Sequence, residues 1–117
     1  MKLYHLDEMQ RGWFVGSFNP AAYNTNDVDV GFKEYAKGDY EPPHHHKIAT
    51  EITLVTSGSA LFNFVNKKEI HLLKKGDIIV IEPGEVVAFS AIEDCSTVVV
   101  KIPGILDDKY INLGTEE

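Results

Sequence analysis

Short apolar segments alternate with glycine, proline and polar turns along most of the chain. Residues 28–35 alternate apolar and polar positions, residues 51–56 are rich in β-branched side chains, and residues 59–65 resume the pattern after Gly58. Further segments of this kind cover residues 69–73, 77–81, 86–91 and 97–102. Such runs between turn residues are typical of β-strands. The pattern therefore predicts seven short strands.

The rest of the pattern predicts an all-β fold. No long stretch has apolar residues at helical spacing, which disfavours a parallel sheet with crossover helices. An antiparallel barrel or sandwich is expected instead. Residues 12–18 are predicted to form an edge strand, residues 19–27 a loop with one helical turn at 19–22, and the tail after Pro103 is expected to cover one end of the fold or a neighbouring subunit.

Composition fits one folded domain and excludes several classes of partner. The chain has 117 residues, of which 44% are hydrophobic and 25% are charged, with a formal net charge of −7. These values differ from those of disordered or fibrous chains. The acidic balance, without any Lys or Arg run longer than two residues, argues against nucleic acid as a partner. No apolar run is long enough to span a bilayer, so no membrane association is expected.

One cysteine and the amino terminus predict a cytoplasmic location. Cys95 is the only cysteine, so neither an internal disulfide nor a thiolate zinc cage is available. Residues 1–10 include Asp7 and Glu8 and lack the basic and then apolar pattern of a signal peptide. A reducing compartment fits both observations.

Candidate chemistry is concentrated in the segment that contains three consecutive histidines. Side chains on a strand alternate between faces, so His44 and His46 are predicted to project together while His45 points away. A turn after His46 is expected to bring the Glu51 carboxylate opposite the two rings. Two imidazoles and a carboxylate form a ligand set for a divalent transition metal, namely Fe, Mn, Ni, Co or Zn.

The spacing of these residues resembles the first motif of the cupin superfamily. Gly38 is followed after five residues by His44, then His46, Glu51 and Gly58, with no position of that motif missing. The resemblance covers residues 30–102 and implies an antiparallel jelly-roll β-barrel. The expected organisation is a single domain with an N-terminal strand and loop (1–29), a barrel core (30–102) and a C-terminal tail (103–117). Since cupins often pair through edge strands, residues 12–18 predict a homodimer.

The second cupin motif is only partly present. Three of its positions match, namely Gly76, Pro83 and Gly84. Val87 occupies the position of the motif's histidine, so a fourth protein ligand is missing. Phe89 has the same strand parity as Val87, and the two are predicted to form an apolar wall of the pocket. The other histidines, His5, His45 and His71, are not expected to be ligands.

The resemblance leaves three functions open. The first is a small cupin whose divalent metal on His44, His46 and Glu51 binds or acts on a small oxygen-bearing molecule, such as a carbohydrate or a carboxylate. The second is a metal-free isomerase or epimerase of a sugar or nucleotide sugar, in which a histidine moves protons and Glu51 orients it. The third is a non-catalytic binding protein for a small molecule. The same three residues are the catalytic candidates in the first two.

Overall fold

The structure, a computed structural model, describes residues 1–104 and 107–112. These residues form one short 3-10 helix, Leu6–Glu8, and eleven strands. The strands are β1 (Trp13–Gly16), β2 (Tyr23–Asn24), β3 (Asp29–Tyr35), β4 (Tyr40–His46), β5 (Thr50–Ser57), β6 (Ser59–Phe64), β7 (Glu69–Lys74), β8 (Ile78–Ile81), β9 (Val87–Ala91), β10 (Cys95–Ile102) and β11 (Lys109–Ile111).

The strands form two sheets. One has six strands in the order β2-β1-β3-β10-β5-β8, and the other has five in the order β11-β4-β9-β6-β7. Every neighbouring pair is antiparallel except β1 and β2, which run parallel. The seven predicted strands are all present, with ends within two residues of the predicted ones. The all-β, antiparallel prediction is confirmed.

Two local predictions for the amino-terminal region are wrong. Residues 12–18 do not form an open edge, because β1 lies between β2 and β3. Residues 19–22 contain no helical turn. The Ala22 N–H donates instead to the Phe14 carbonyl at 2.7 Å, and strand β2, which pairs with β1, begins directly after it. The local turn tendency of these residues is overridden by pairing with a strand.

Part of the carboxyl-terminal tail extends the five-stranded sheet as its edge strand. Strand β11 pairs with β4, and Tyr110 lies opposite His45 in that register. Residues 105–106 and 113–117, which include the acidic end Glu116–Glu117, lie outside the described residues.

Apolar side chains fill one end of the space between the sheets. The central aromatic contact is between Phe62 and Phe89, whose ring centroids are 5.3 Å apart. The buried cluster around them consists of Val55, Ala60, Phe62, Phe64, Leu73, Ile81, Val87, Phe89, Ala91 and Cys95. Most of these residues come from β6, β9 and the adjoining ends of β5 and β7. The other end of the sandwich is lined by polar and charged side chains and stays open.

The β5–β6 connection depends on a glycine. Gly58 has φ of +71°, and a Cβ there would lie 2.1 Å from the Asp94 carbonyl oxygen. Any L side chain would be strained by the backbone conformation and would also collide with the neighbouring chain. This turn carries the chain from the six-stranded sheet to the five-stranded sheet, as the predicted break at Gly58 requires.

Candidate functional site

A cavity of about 560 Å³ opens between the sheets at the polar end of the sandwich. It is lined by Gln10, Arg11, Trp13, Phe18, Asp29, Lys33, Tyr35, Glu41, His44, His46, Ala49, Glu51, Val99, Lys101, Asp107, Asp108 and Lys109. A smaller space of about 30 Å³ shares Tyr35, Glu41, His44 and Glu51 with it and extends towards the apolar core. All three predicted ligands therefore line one cavity.

Strand β4 supplies the two histidines. His44 and His46 are each 6% exposed and face the cavity. His45 lies on the opposite face, where its ring stacks on Tyr110 at 5.4 Å and its Nδ1 lies 2.7 Å from the Asn112 side-chain oxygen. Strand alternation explains both placements.

The tautomer of His44 is fixed by the backbone. His44 Nδ1 lies 2.9 Å from the Pro42 carbonyl oxygen. Because a carbonyl only accepts hydrogen bonds, Nδ1 of the neutral ring carries the proton. The lone pair of Nε2 then remains available, which is the arrangement that metal-binding histidines usually adopt.

His46 has a buried nitrogen without a partner. Within residues 1–104 and 107–112, Nε2 of His46 has no hydrogen-bond partner although it is fully buried. Burial, together with the positive charge of Lys101, lowers the pKa of His46 from 6.5 to about 4. The imidazole is therefore neutral at pH 7, and its buried Nε2 makes no hydrogen bond to the described residues. A buried polar atom without a partner lowers the stability of the fold unless a ligand pairs with it.

Glu51 faces His46 from the other sheet. The chain crosses between the sheets at residues 47–49, and Glu51 Oε1 then lies 4.0 Å from His46 Nδ1. The Thr53 hydroxyl donates to Glu51 Oε2 at 2.9 Å, which limits rotation of the carboxylate. The expected turn after His46 thus brings the carboxylate opposite a histidine ring.

Asp108 holds that crossing in place. Its carboxylate accepts the backbone N–H groups of Lys47, Ile48 and Ala49 at 3.1, 3.1 and 2.9 Å. Burial alone would raise the pKa of the Asp108 carboxyl, but these three donors outweigh burial and lower it below its ordinary value. A residue more than 50 positions away in the sequence therefore fixes the spacing between His46 and Glu51.

The three side chains share a cavity without forming a closed cluster. The rings of His44 and His46 are 6.1 Å apart between centroids and nearly perpendicular. Among the described residues, no group of three His, Cys, Asp or Glu side chains is arranged so that it could hold a metal ion. The donor types fit a divalent metal, and the free nitrogens of both rings are of the kind that a metal would use.

Val87 and Phe89 line the inner extension of the cavity. Both are 4% exposed, and Val87 is the register partner of His44 while Phe89 is the partner of Glu41. The floor below the histidines is therefore apolar. No donor atom from β9 reaches the cavity at the position of the missing second-motif histidine.

Glu41 is a cavity residue that strand alternation alone does not identify. It is three positions from His44, so a regular strand would place the two on opposite faces. The register shifts between Glu41 and His44, where Pro42 and Pro43 have no N–H to donate to the ladder. This bulge turns Glu41 towards the cavity. The Pro42–Pro43 pair is the feature of the sequence from which this bulge could have been predicted.

Tyr35 joins Glu41 on the cavity wall. Its hydroxyl donates to Glu41 Oε2 at 3.4 Å, and its ring packs on Phe89 with centroids 4.5 Å apart. Burial and the charges of Glu41 and Glu51 raise the pKa of Tyr35. The phenol therefore stays protonated at neutral pH, and its single O–H is directed at the Glu41 carboxylate.

Four basic residues line the same cavity although they are scattered in the sequence. Lys33 and Lys101 both approach the Trp13 ring, with Nζ 5.4 and 5.0 Å from its centroid. Gly31 makes room for that ring, since a Cβ there would lie 2.7 Å from it. The remaining two are Arg11 and Lys109. The pairing of β3 with β10 brings Lys33 and Lys101 together, so no linear motif marks these two residues.

Lys33 and Lys101 differ in how they are held. The Lys33 ammonium donates to the Arg11 carbonyl at 2.9 Å, and burial together with the nearby Arg11 charge lowers its pKa. Within the part of the chain that the structure describes, no carboxylate lies within 4.0 Å of the Lys101 ammonium. Lys101 is thus a cavity cation without an ion-pair partner among the described residues.

The other candidate residues lie elsewhere. His5 caps the short helix and is exposed, and His71 lies on β7 beside Glu69. Neither lines the cavity. Cys95 is buried at the start of β10, where burial and the neighbouring acidic residue Asp39 raise the pKa of its thiol. None of the described helices is long and apolar enough to cross a membrane.

Comparison with known sequences identifies a matching family. The profile of the family described as "AraC-like ligand binding domain" matches residues 26–115. Germin-like protein subfamily 1 member 3 of Arabidopsis thaliana is 31% identical over 109 residues, which cover 88% of this chain and 48% of that protein. The chain therefore spans about half the length of this relative.

Solved structures share the architecture. An uncharacterised protein with a double-stranded β-helix domain from Klebsiella pneumoniae is 28% identical, covering 74% of this chain and 71% of its own, with a TM-score of 0.67. The DMSP lyase DddQ of Ruegeria pomeroyi has a TM-score of 0.75 at 17% identity, covering 90% of this chain and 52% of that one. The second similarity concerns the fold alone.

Proposed function

We propose a function on the premise that the chain belongs to the AraC-like ligand binding domain family and is a small cupin. The protein binds a small, anionic, oxygen-bearing molecule in the cavity between its sheets, on a divalent transition metal held by His44, His46 and Glu51. Fe, Mn, Ni, Co and Zn all accept this ligand set. When bound, such a metal polarises an oxygen of the ligand as a Lewis acid.

The observation that carries the proposal is that a nitrogen of each histidine ring is free of a hydrogen bond to the described residues. His46 Nε2 is buried without a partner among the described residues, and the Pro42 carbonyl leaves Nε2 of His44 with a free lone pair. A metal ion bound by both rings would pair with these two nitrogens. Glu51 supplies the negative charge, and its orientation is restricted by Thr53.

The anionic character of the ligand rests on the basic residues. Lys101 projects into the cavity without an ion-pair partner among the described residues, and Lys33, Arg11 and Lys109 line the same space. A carboxylate or another acidic group on the ligand would be attracted to them.

A metal-free function is the second candidate, and Val87 favours it. With an apolar side chain in place of the fourth ligand, His46 and Glu51 instead resemble an imidazole oriented by a carboxylate at 4.0 Å. Such a pair serves proton transfer in a sugar or nucleotide-sugar isomerase or epimerase. The same cavity without turnover would be a simple binding site.

The proposal also includes a single domain and a cytoplasmic location, which suits the one free cysteine.

Elemental analysis of untagged protein tests the metal. The parent is purified without chelator, and it is also stripped, reloaded with each of the candidate metals and desalted. His46→Ala is the test variant, and His45→Ala is the matched control because His45 faces away from the cavity. We expect near-stoichiometric metal in the parent and in His45→Ala, and its loss in His46→Ala.

Two results would contradict the metal proposal. One is a parent that retains no metal under any loading condition, and the other is equal retention by both alanine variants. In the first case, calorimetric titration of the stripped protein with carboxylates, sugars and nucleotide sugars decides whether the cavity binds ligands without metal. Turnover of a bound sugar would identify the isomerase candidate, and binding without turnover the simple binding protein.

A further inference from the structure

Lys33 is a cavity lysine with other cations close to it. Arg11, Lys101 and Lys109 line the same cavity and repel its ammonium group, while Glu41 attracts it. Burial, followed by the charge of Arg11, lowers the pKa of Lys33. At a given pH, a larger fraction of Lys33 is therefore neutral amine than of an ordinary exposed lysine. A neutral amine has a lone pair, and desolvation beside another cation is one of the ways in which proteins make a lysine nucleophilic.

The backbone holds the Lys33 side chain in position. Lys33 faces the cavity from β3, and the segment before β1 lies against that strand because the Phe32 N–H donates to the Gly12 carbonyl at 2.9 Å. The Lys33 side chain donates to the adjacent Arg11 carbonyl, also at 2.9 Å. This bond uses one N–H of Lys33. A neutral amine held in this way keeps its lone pair for a molecule bound in the cavity.

The Trp13 ring places Lys33 next to a site for a carboxylate. Nζ of Lys33 and Nζ of Lys101 lie 5.4 and 5.0 Å from the centroid of this ring. Among the described residues, no carboxylate lies within 4.0 Å of the Lys101 ammonium. A ligand whose carboxylate pairs with Lys101 would have its carbon chain beside Trp13 and near Lys33. The ligand that engages both lysines therefore has an acid group and a second group that reacts with an amine.

We propose that Lys33 is a nucleophile that forms an imine with the carbonyl carbon of an oxo acid, whose carboxylate is bound by Lys101. This inference rests on the proposed function, because it assigns the acidic ligand of the cavity to one chemical class. Lys33 is not one of the three proposed metal ligands, so imine formation and metal binding are separate properties of the cavity.

Imine formation at Lys33 balances without any further reactant. The ammonium group first releases a proton to solvent, and the lone pair of the amine then forms a C–N bond with the carbonyl carbon while the C=O π pair moves to oxygen. The oxygen takes up two protons from the nitrogen and solvent and leaves as water, and the C=N bond forms. One ammonium group and one carbonyl group thus give one protonated imine and one water, and no group is oxidised or reduced.

Reductive trapping of the full chain tests this proposal. The parent is incubated with pyruvate and sodium cyanoborohydride at pH 7, and cyanoborohydride converts any imine to a stable secondary amine. Peptide mass spectrometry then gives the rate of modification at each lysine. We expect Lys33 to be modified at least about tenfold faster than every other lysine, because the bound acid places its carbonyl next to this amine. Lactate, which has the carboxylate but no carbonyl, should slow the modification of Lys33.

Three variants show whether the cavity is responsible. Lys33→Arg keeps the charge but cannot form an imine, so the fast phase of modification should disappear. Lys37→Arg is the matched control, since Lys37 is exposed and does not line the cavity, and it should react like the parent. Lys101→Met should slow the modification of Lys33, because the carboxylate is no longer held beside it. Circular dichroism checks that the variants are folded, and the map of the parent decides if they are not.

Modification of all lysines at similar rates, or faster modification of Lys101 than of Lys33, would overturn the proposal. Titration of the parent with lactate, followed by Trp13 fluorescence, separates this failure from that of the proposed function. If lactate binds and Lys33 is not modified preferentially, the imine is wrong and the acid-binding cavity stands. If Lys33 is modified preferentially and lactate does not bind, the nucleophile stands and the binding of acids by Lys101 is wrong.

Discussion

Val87 lies directly opposite His44 in the pairing of β4 with β9. Side chains at such positions share a face and lie close together. A histidine in place of Val87 would therefore reach the space that His44 and His46 line. The protein keeps the geometry of a fourth ligand position and places an apolar side chain there, so the proposed metal centre has three protein ligands.

Val87→His should strengthen metal binding. The new imidazole adds a fourth donor, and we expect the metal dissociation constant to fall about tenfold or more if the added nitrogen is well oriented. Competition with a chromophoric chelator measures this directly. Val87→Leu, which adds bulk without a donor, serves as the control. Unchanged affinity in folded Val87→His would count against a metal bound at His44 and His46.

Thr53→Val should weaken metal binding without harming the fold. The Thr53 hydroxyl donates to Glu51 Oε2, and valine has nearly the same shape but cannot donate. Loss of such a supporting hydrogen bond typically costs about 10–100-fold in metal affinity. The measurement is the same chelator competition, at matched protein and metal concentrations.

Thr97→Val is the matched control for Thr53→Val. Thr97 is equally buried, and its hydroxyl has no hydrogen-bond partner among the described residues. Its replacement should leave the metal dissociation constant unchanged and raise the free energy of unfolding slightly, because an unsatisfied polar group is removed. Equal losses of metal affinity in both variants would show that general disturbance of the cavity, rather than the bond to Glu51, is responsible.

The fold could be predicted largely from the sequence because its strands are marked by local patterns. Alternation and turn residues identify seven of the eleven strands that form the two sheets. The histidines of β4 follow the same rule, which explains the placement of His44 and His46 inside and His45 outside. The strands that escaped prediction, β2 and β11, have two and three residues and exist because of their pairing partners.

The part of the site that the sequence did not predict depends on contacts between distant segments of the chain. Glu41 faces the cavity only because a bulge at Pro42 and Pro43 reverses its expected side. Lys33 and Lys101 meet at Trp13 through the pairing of β3 with β10, although 67 residues lie between them in the sequence. Contacts between residues so far apart cannot be predicted from the spacing of residues along the chain. A short motif therefore indicated the three candidate ligands, and it gave no indication of the charged residues around them.

Lys101→Met should reduce the affinity of the cavity for acids. Lys101 has no ion-pair partner among the described residues, so its ammonium is free to attract a bound carboxylate. The methionine variant lacks this charge. We expect about a tenfold loss in affinity for lactate, the typical value of a charge-assisted hydrogen bond, and little change for the uncharged lactamide. Trp13 is the only tryptophan and lies beside Lys101, so its fluorescence reports binding.

The control for Lys101→Met is Lys37→Met. Lys37 is exposed and does not line the cavity. It should leave both lactate and lactamide titrations unchanged. Equal effects of Lys101→Met on the acid and the amide would mean that Lys101 acts through packing rather than charge. Tight binding of lactamide and none of lactate by the parent would contradict the anionic ligand.

Asp108→Asn should destabilise the protein in a pH-dependent way. The pKa of Asp108 in the folded chain lies below its ordinary value of 3.8, because three backbone N–H groups donate to the carboxylate. A lowered carboxyl pKa adds stability that is fully present above pH 3.8 and is lost as the pH falls through the folded value. Asparagine has no charge to lose. At pH 7 the variant should therefore be less stable by about 1–3 kcal/mol, and the gap should narrow as the pH falls below 3.8.

Urea unfolding of chelator-treated protein at a series of pH values measures the effect of Asp108→Asn without a contribution from bound metal. Asp107→Asn is the adjacent control, because Asp107 is exposed and its carboxylate accepts none of the hydrogen bonds that hold residues 47–49. Its stability should match the parent at every pH. If Asp108→Asn differed from the parent by a constant amount from pH 7 to pH 3, the charge of Asp108 would not be what holds the crossing between His46 and Glu51. The loss would then reflect only the altered shape of the hydrogen-bonding group.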